Sequence, residues 1–160
     1  MKKIILIAVA AILAVSALAQ DGKSLYSKYS NEKNVSAVYI SPAMFKIMGK
    51  LPEVEIGDDD VNLTPLIKTL TGMYILSSEN SEVNSQMTSD VAALVKAGKY
   101  EMIMEAKEDG ETVRIYTVSK GEIVTSFVLF VVEKDECDFI CIDGNMPREQ
   151  LEAALARAVK

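Results

Sequence analysis

The chain contains no histidine and no tryptophan, and only two cysteines in 160 residues. Without histidine there is no Ser-His or Cys-His pair to generate a nucleophile, and the usual zinc and copper ligand is missing. There is no basic run, and Asp and Glu outnumber Lys and Arg by 23 to 17. That balance disfavours nucleic acid and anionic membrane surfaces, because both repel a negative protein. No Gly-rich phosphate loop, dinucleotide fingerprint or nucleophile elbow occurs. No apolar run reaches the ~20 residues a membrane-spanning helix needs.

The two cysteines fall in Cys137-Asp138-Phe139-Ile140-Cys141-Ile142-Asp143, which has the pattern of a strand. Their Cα atoms would stand ~13 Å apart on one face of an extended chain. A disulfide needs them within ~7 Å, and the same separation prevents joint ligation of one metal ion. Asp138 and Asp143 flank them, and negative charge raises a thiol pKa, which argues against a catalytic cysteine. Two buried thiols acting as small hydrophobes are expected.

The longest apolar stretch stands at the start. Lys2 and Lys3 precede Ile4 through Leu18, which only Ser16 interrupts, and the run closes on Ala17-Leu18-Ala19. A short basic region, an apolar core and a small-x-small site describe a secretory signal peptide cleaved between Ala19 and Gln20. Residues 1–19 are therefore read as the leader and residues 20–160 as a single domain. Loss of Lys2 and Lys3 leaves 15 basic against 23 acidic side chains, a net charge of −8. No cysteine stands at the cleavage point to accept a lipid. The expected product is exported, periplasmic or secreted, with no stable membrane anchor after cleavage.

The rest of the chain divides into short, well-punctuated elements. Leu25, Tyr26 and Tyr29 suggest a helix over 22–30, and Val35 to Ile40 reads as a strand. Ser41-Pro42 is a helix start, with Met44, Phe45 and Met48 as its apolar stripe and Gly49 placed for a left-handed C-terminal cap. Residues 50–63 form an acidic connection, and Thr64-Pro65 opens a short helix. Met73 to Ser77 is a strand of central type. Val83, Met87, Val91, Leu94 and Val95 mark a long amphipathic helix over 80–97. From Tyr100 the period changes to two. Turns at Asp109-Gly110, Lys120-Gly121 and Lys134-Asp135 separate four strands, which implies an antiparallel meander. A helix follows Met146-Pro147. The predicted fold is an α+β two-layer sandwich, with a mixed or antiparallel sheet of about six strands and helices packed on one face.

Several clusters resemble sites. Asp58, Asp60 and Asn62 occupy the first odd positions of a calcium loop. Leu63 stands where glycine is required and Thr69 where the bidentate glutamate belongs, so the EF-hand pattern fails. These three residues remain weak metal candidates. Met44 with Met48, and Met102 with Met104, have the soft ligands of a copper site, but their phase assigns them to core packing. Glu101 and Glu105 read as an exposed strand face. The six tyrosines are scattered and expected to be half-buried.

Four segments resemble a family of small exported bacterial proteins described as domain of unknown function 4252. They are Leu25-Tyr26-Ser27-Lys28-Tyr29-Ser30, Val35 to Ser41 with Met44-Phe45-Lys46, Gly72 to Leu76 with the following helix, and Gly110-Glu111-Thr112-Val113. The resemblance spans nearly all of residues 20–160 and implies no activity and no site residues.

No catalytic residue and no cofactor is expected. The leading expectation is a non-catalytic module that binds an unidentified protein partner in the cell envelope or takes part in envelope signalling. The alternative is a small-molecule or calcium-ion binder using the acidic 50–63 loop.

Overall fold

The computed structural model describes residues 21–50 and 64–158. The predicted leader, its expected cleavage site at Ala19 and Gln20, and Asp58, Asp60 and Asn62 lie outside these residues. The described elements are α1 (Gly22–Tyr29), β1 (Val35–Ile40), α2 (Pro42–Met48), α3 (Thr64–Ile67), β2 (Leu70–Ser78), α4 (Ser81–Ala97), β3 (Glu101–Glu108), β4 (Glu111–Lys120), β5 (Ile123–Val132), β6 (Cys137–Pro147) and α5 (Arg148–Ala158).

The six strands form one sheet in the order β1-β2-β6-β5-β4-β3, and every neighbouring pair is antiparallel. The last four strands are the expected meander. It is closed by local chemistry: Glu108 pairs with Glu111 across Asp109 and Gly110, whose φ angles are 44° and 92°. Positive φ at both central residues gives a two-residue turn whose twist matches the strands. The sheet has an upper end, at the β3–β4 and β5–β6 turns, and a lower end, where β2 begins and β6 finishes.

Helix α4 follows its sequence pattern closely. Asn80 caps it by accepting from the Glu82 and Val83 amides at 3.1 and 3.4 Å. Val83, Met87, Val91 and Leu94 are all buried. They pack with Leu25 and Tyr29 of α1 against Leu76, Val128, Phe130, Cys137, Phe139 and Cys141. Helix α1 is tied to α4 through Asp90, which accepts from the Lys28 ammonium at 2.5 Å and the Tyr29 hydroxyl at 2.6 Å. Gly22 begins α1 hard against Cys141, with no room for a side chain.

The expected layering thus holds for α1 and α4. The terminal helix α5 lies elsewhere. Its Leu151 joins Val124, Phe127 and Met146 in a second cluster, packed with Leu66, Leu70, Ile115, Leu129 and Ile142. Phe127 and Leu129 alternate with Val128 and Phe130, so this cluster lies on the opposite face of the sheet. Helices α3 and α5 therefore form a step over the lower end of that face.

Two local expectations are corrected. Gly49 has a right-handed conformation, with φ −67° and ψ −8°. A Cβ there would stand 2.9 Å from Lys68 Cγ, so close approach of that side chain explains the glycine better than a left-handed cap. The methionine pairs are not core. Met44, Met102 and Met104 are 47%, 52% and 40% exposed. A register shift between Met102 and Met104 leaves Ile103 unpaired, and the bulge sends the two methionines to opposite faces.

Candidate docking face

Six residues form one row across the sheet: Val38 pairs with Ile75, Ile75 with Ile140, Ile140 with Leu129, Leu129 with Ile115, and Ile115 with Met104. All six are apolar, and they lie on the face opposite α1 and α4. None is buried. The central four are half-buried, and Leu129 and Ile115 touch the second cluster along their lower side. The two ends, Val38 and Met104, are 47% and 40% exposed. The next row below contributes Ile40 and Met73, and continues through Ile142 to Phe127, which is buried in the second cluster under the step. An apolar belt thus crosses the whole width of the sheet. A patch of this extent on a folded domain ordinarily marks a binding surface.

Polar groups border the belt at both ends. Above it, Ser36 pairs with Ser77 and Ser77 with Asp138. The Ser77 hydroxyl donates to the Glu136 carboxylate at 3.1 Å, which places Glu136 on this face. Below it, Lys46, Lys50 and Lys68 rim a groove of about 550 Å³ with Phe45, Leu70 and Thr71. Leu70 belongs to both the groove and the α3–α5 step. None of the three lysines makes an ion pair among the described residues.

The covered face holds a polar cluster that the linear pattern did not reveal. Tyr100 and Ser126 share a 2.8 Å hydrogen bond. Ser126 Oγ lies 3.6 Å from Cys141 Sγ, which in turn lies 3.7 Å from an Asp143 oxygen. Burial pushes the Cys141 thiol up to about 12, and the Asp143 carboxylate adds to the shift. Burial likewise takes Tyr100 to about 12 and holds Asp143 above the ordinary carboxylate range. Cys137 is also pushed up to about 12, first by burial and then by Asp138. Both cysteines are free thiols, as expected. At neutral pH they are protonated and poorly nucleophilic. The cluster ties β5, β6 and the residue leading into β3 to the start of α1.

A third feature is a corner of tyrosines. Tyr39 and Tyr74 stack at 5.1 Å, and Tyr26 lies 5.8 Å from Tyr74. Tyr39 is 48% exposed and stands at the β1 edge on the face of α1 and α4, opposite Val38. Among the described residues, no group of acidic or cysteine side chains is arranged to hold a metal ion, and no helix is long and apolar enough to cross a membrane.

The sequence motifs anticipated the strands of this face and missed the face itself. Its residues come from six strands, and only the pairing register aligns them. The one signal in the sequence was strands that are apolar in both phases, such as Met73-Tyr74-Ile75-Leu76.

The family model described as domain of unknown function (DUF4252) matches residues 29–154, and the chain belongs to that family. No curated protein matches the chain, and no solved structure does.

Proposed function

We propose that the protein is an exported, non-catalytic binding module of the cell envelope and that the uncovered sheet face is its working surface. The observation that supports this reading is the six-residue row Val38–Ile75–Ile140–Leu129–Ile115–Met104, apolar in every strand and buried in none. Leaving such a row in water forgoes ~25 cal/mol for each Å² of apolar surface, so a surface that covers it gains that free energy. On the opposite face α1 and α4 bury the sheet centre, and the exposed apolar side chains Tyr39 and Met102 stand apart at its two edges. Export rests on the leader pattern of residues 1–19.

Site-directed photocrosslinking in the native envelope tests the reading. A photoreactive residue at Ile75 or Ile140 gives discrete adducts, whereas one at Ala92, exposed on α4, does not. Equal labelling at both places, or none at the belt, contradicts the proposal.

A second reading has one observation in its favour. The lysine-rimmed groove has the size of a ligand pocket and an apolar floor, which suits a small anion with an apolar part better than calcium. Thermal shift against a panel of alkyl carboxylates and phosphates, with calcium as the contrast, decides it.

A further inference from the structure

The belt has a size, a neighbouring step and a distribution of charge that together select one occupant. Six strands ~4.8 Å apart and about five residues of each strand give a footprint of roughly 500 Å² per molecule, or ~1,000 Å² for a facing pair, the threshold for a specific interface. The step formed by α3 and α5 is one helix thick, ~10 Å, and two facing sheets pack ~10 Å apart. A sheet laid on the belt therefore fits beside the step without a gap. If two copies stacked with like ends together, the two steps would collide. A two-fold axis perpendicular to the strands instead sets each step beyond the upper end of the other sheet.

The same axis pairs opposite charges. It keeps β1 over β1 and exchanges upper and lower ends. The corner bearing Lys46, Lys50 and Lys68 then faces the other copy's upper rim, where Glu136 and Asp138 lie. The symmetry repeats the match, so the surface is self-complementary, as an isologous interface requires.

We infer that the belt seats a second copy of this chain, sheet on sheet, in an antiparallel two-fold dimer. This rests on the reading of the face as a docking surface and names its occupant. Each sheet then has both faces covered, and the half-buried aliphatic row becomes the core of a twelve-stranded sandwich.

The test is sedimentation equilibrium and light scattering on protein purified from the full chain, with far-UV circular dichroism to check folding. The expected result is a species of twice the chain mass. Leu129→Lys in the belt centre, or Met104→Lys at its exposed end, weakens association at least tenfold while leaving the spectrum unchanged. Lys46→Glu with Lys68→Glu also weakens it, and adding Glu136→Lys with Asp138→Lys to the same chain restores it. A monomer at every concentration overturns the inference, as does a dimer indifferent to Met104→Lys. A monomer that co-purifies with lipid or detergent on the belt likewise overturns it and assigns the face to an amphiphile. If the protein is monomeric yet Ile140 still crosslinks to a different envelope protein, the dimer fails and the docking face stands. If belt substitutions change neither association nor crosslinking, both fail.

Discussion

Phe139 and Ile140 are neighbours in β6, yet they live in different surroundings. Phe139 is fully buried beneath α1 and α4. Ile140, one residue on, points the other way and is only half-buried in the middle of the belt. The same contrast separates Leu76 from Ile75 and Val128 from Leu129. Both faces are built from large apolar side chains, so composition does not distinguish them. Their partners do. One face has two helices whose stripes match it, and the other has a helical step over its lower end only. In this molecule the apolar strand residues of one face are sealed under helices along the sheet centre, and those of the other are sealed only where the step covers them.

The largest effect expected from breaking this contrast comes from truncating the two neighbours. Phe139→Ala should cost ~3–5 kcal/mol of unfolding free energy, because it removes buried contacts and leaves a cavity. Ile140→Ala should cost under ~1.5 kcal/mol in dilute protein, where its face is wet. Urea unfolding of the two variants side by side measures the difference. Equal losses would mean that the faces are equally covered.

Overfilling the covered face comes next. A Cβ on Gly22 would stand 2.3 Å from Cys141 Sγ. Gly22→Ala should therefore lower stability by ~1–3 kcal/mol, the usual range for overpacking. The cap of α4 is a smaller lever on the same face. Asn80→Ala strands the Glu82 and Val83 amides and should cost ~1 kcal/mol, read as a lower melting temperature.

The smallest effect concerns charge under the covered face. Burial raises the folded-state pKa of Asp143 above its unfolded value, so the folded protein holds that proton more tightly. Its contribution to stability is present in acid and is lost as pH rises through the folded pKa. Asp143→Asn should be slightly more stable than the parent at neutral pH, and the advantage should shrink as pH falls through the carboxylate range. Melting curves across that range check the sign.

How much of this was legible in the chain follows from the range of each interaction. The α4 stripe, the Ser41-Pro42 start, the Asp109-Gly110 turn and the meander are written in residues a few positions apart, and the structure has all of them. The tenancy of the two faces was not legible. Met73-Tyr74-Ile75-Leu76 and Ile123 to Val132 are apolar in both phases, which reads as a strand buried on both sides. Nothing local says that one side lacks a cover. The row from Val38 to Met104 exists only through five pairwise registers, two of them spanning more than 35 residues. Met102 and Met104 lie outside the core because β3 is an edge strand exposed along both faces, a place in the sheet that the local pattern does not specify. The Tyr100–Ser126–Cys141–Asp143 cluster likewise joins β5, β6 and the residue that leads into β3, which only the fold brings together.

The most direct test of the central claim, that the belt is an interface between copies, is the melting temperature as a function of protein concentration. A dimer gains stability by mass action, by about 2.7 kcal/mol for a hundredfold rise in partner concentration above the dissociation constant. The melting temperature should climb by several degrees over that range for the parent protein and stay flat for Leu129→Lys. A parent melting temperature that does not move with concentration would contradict it.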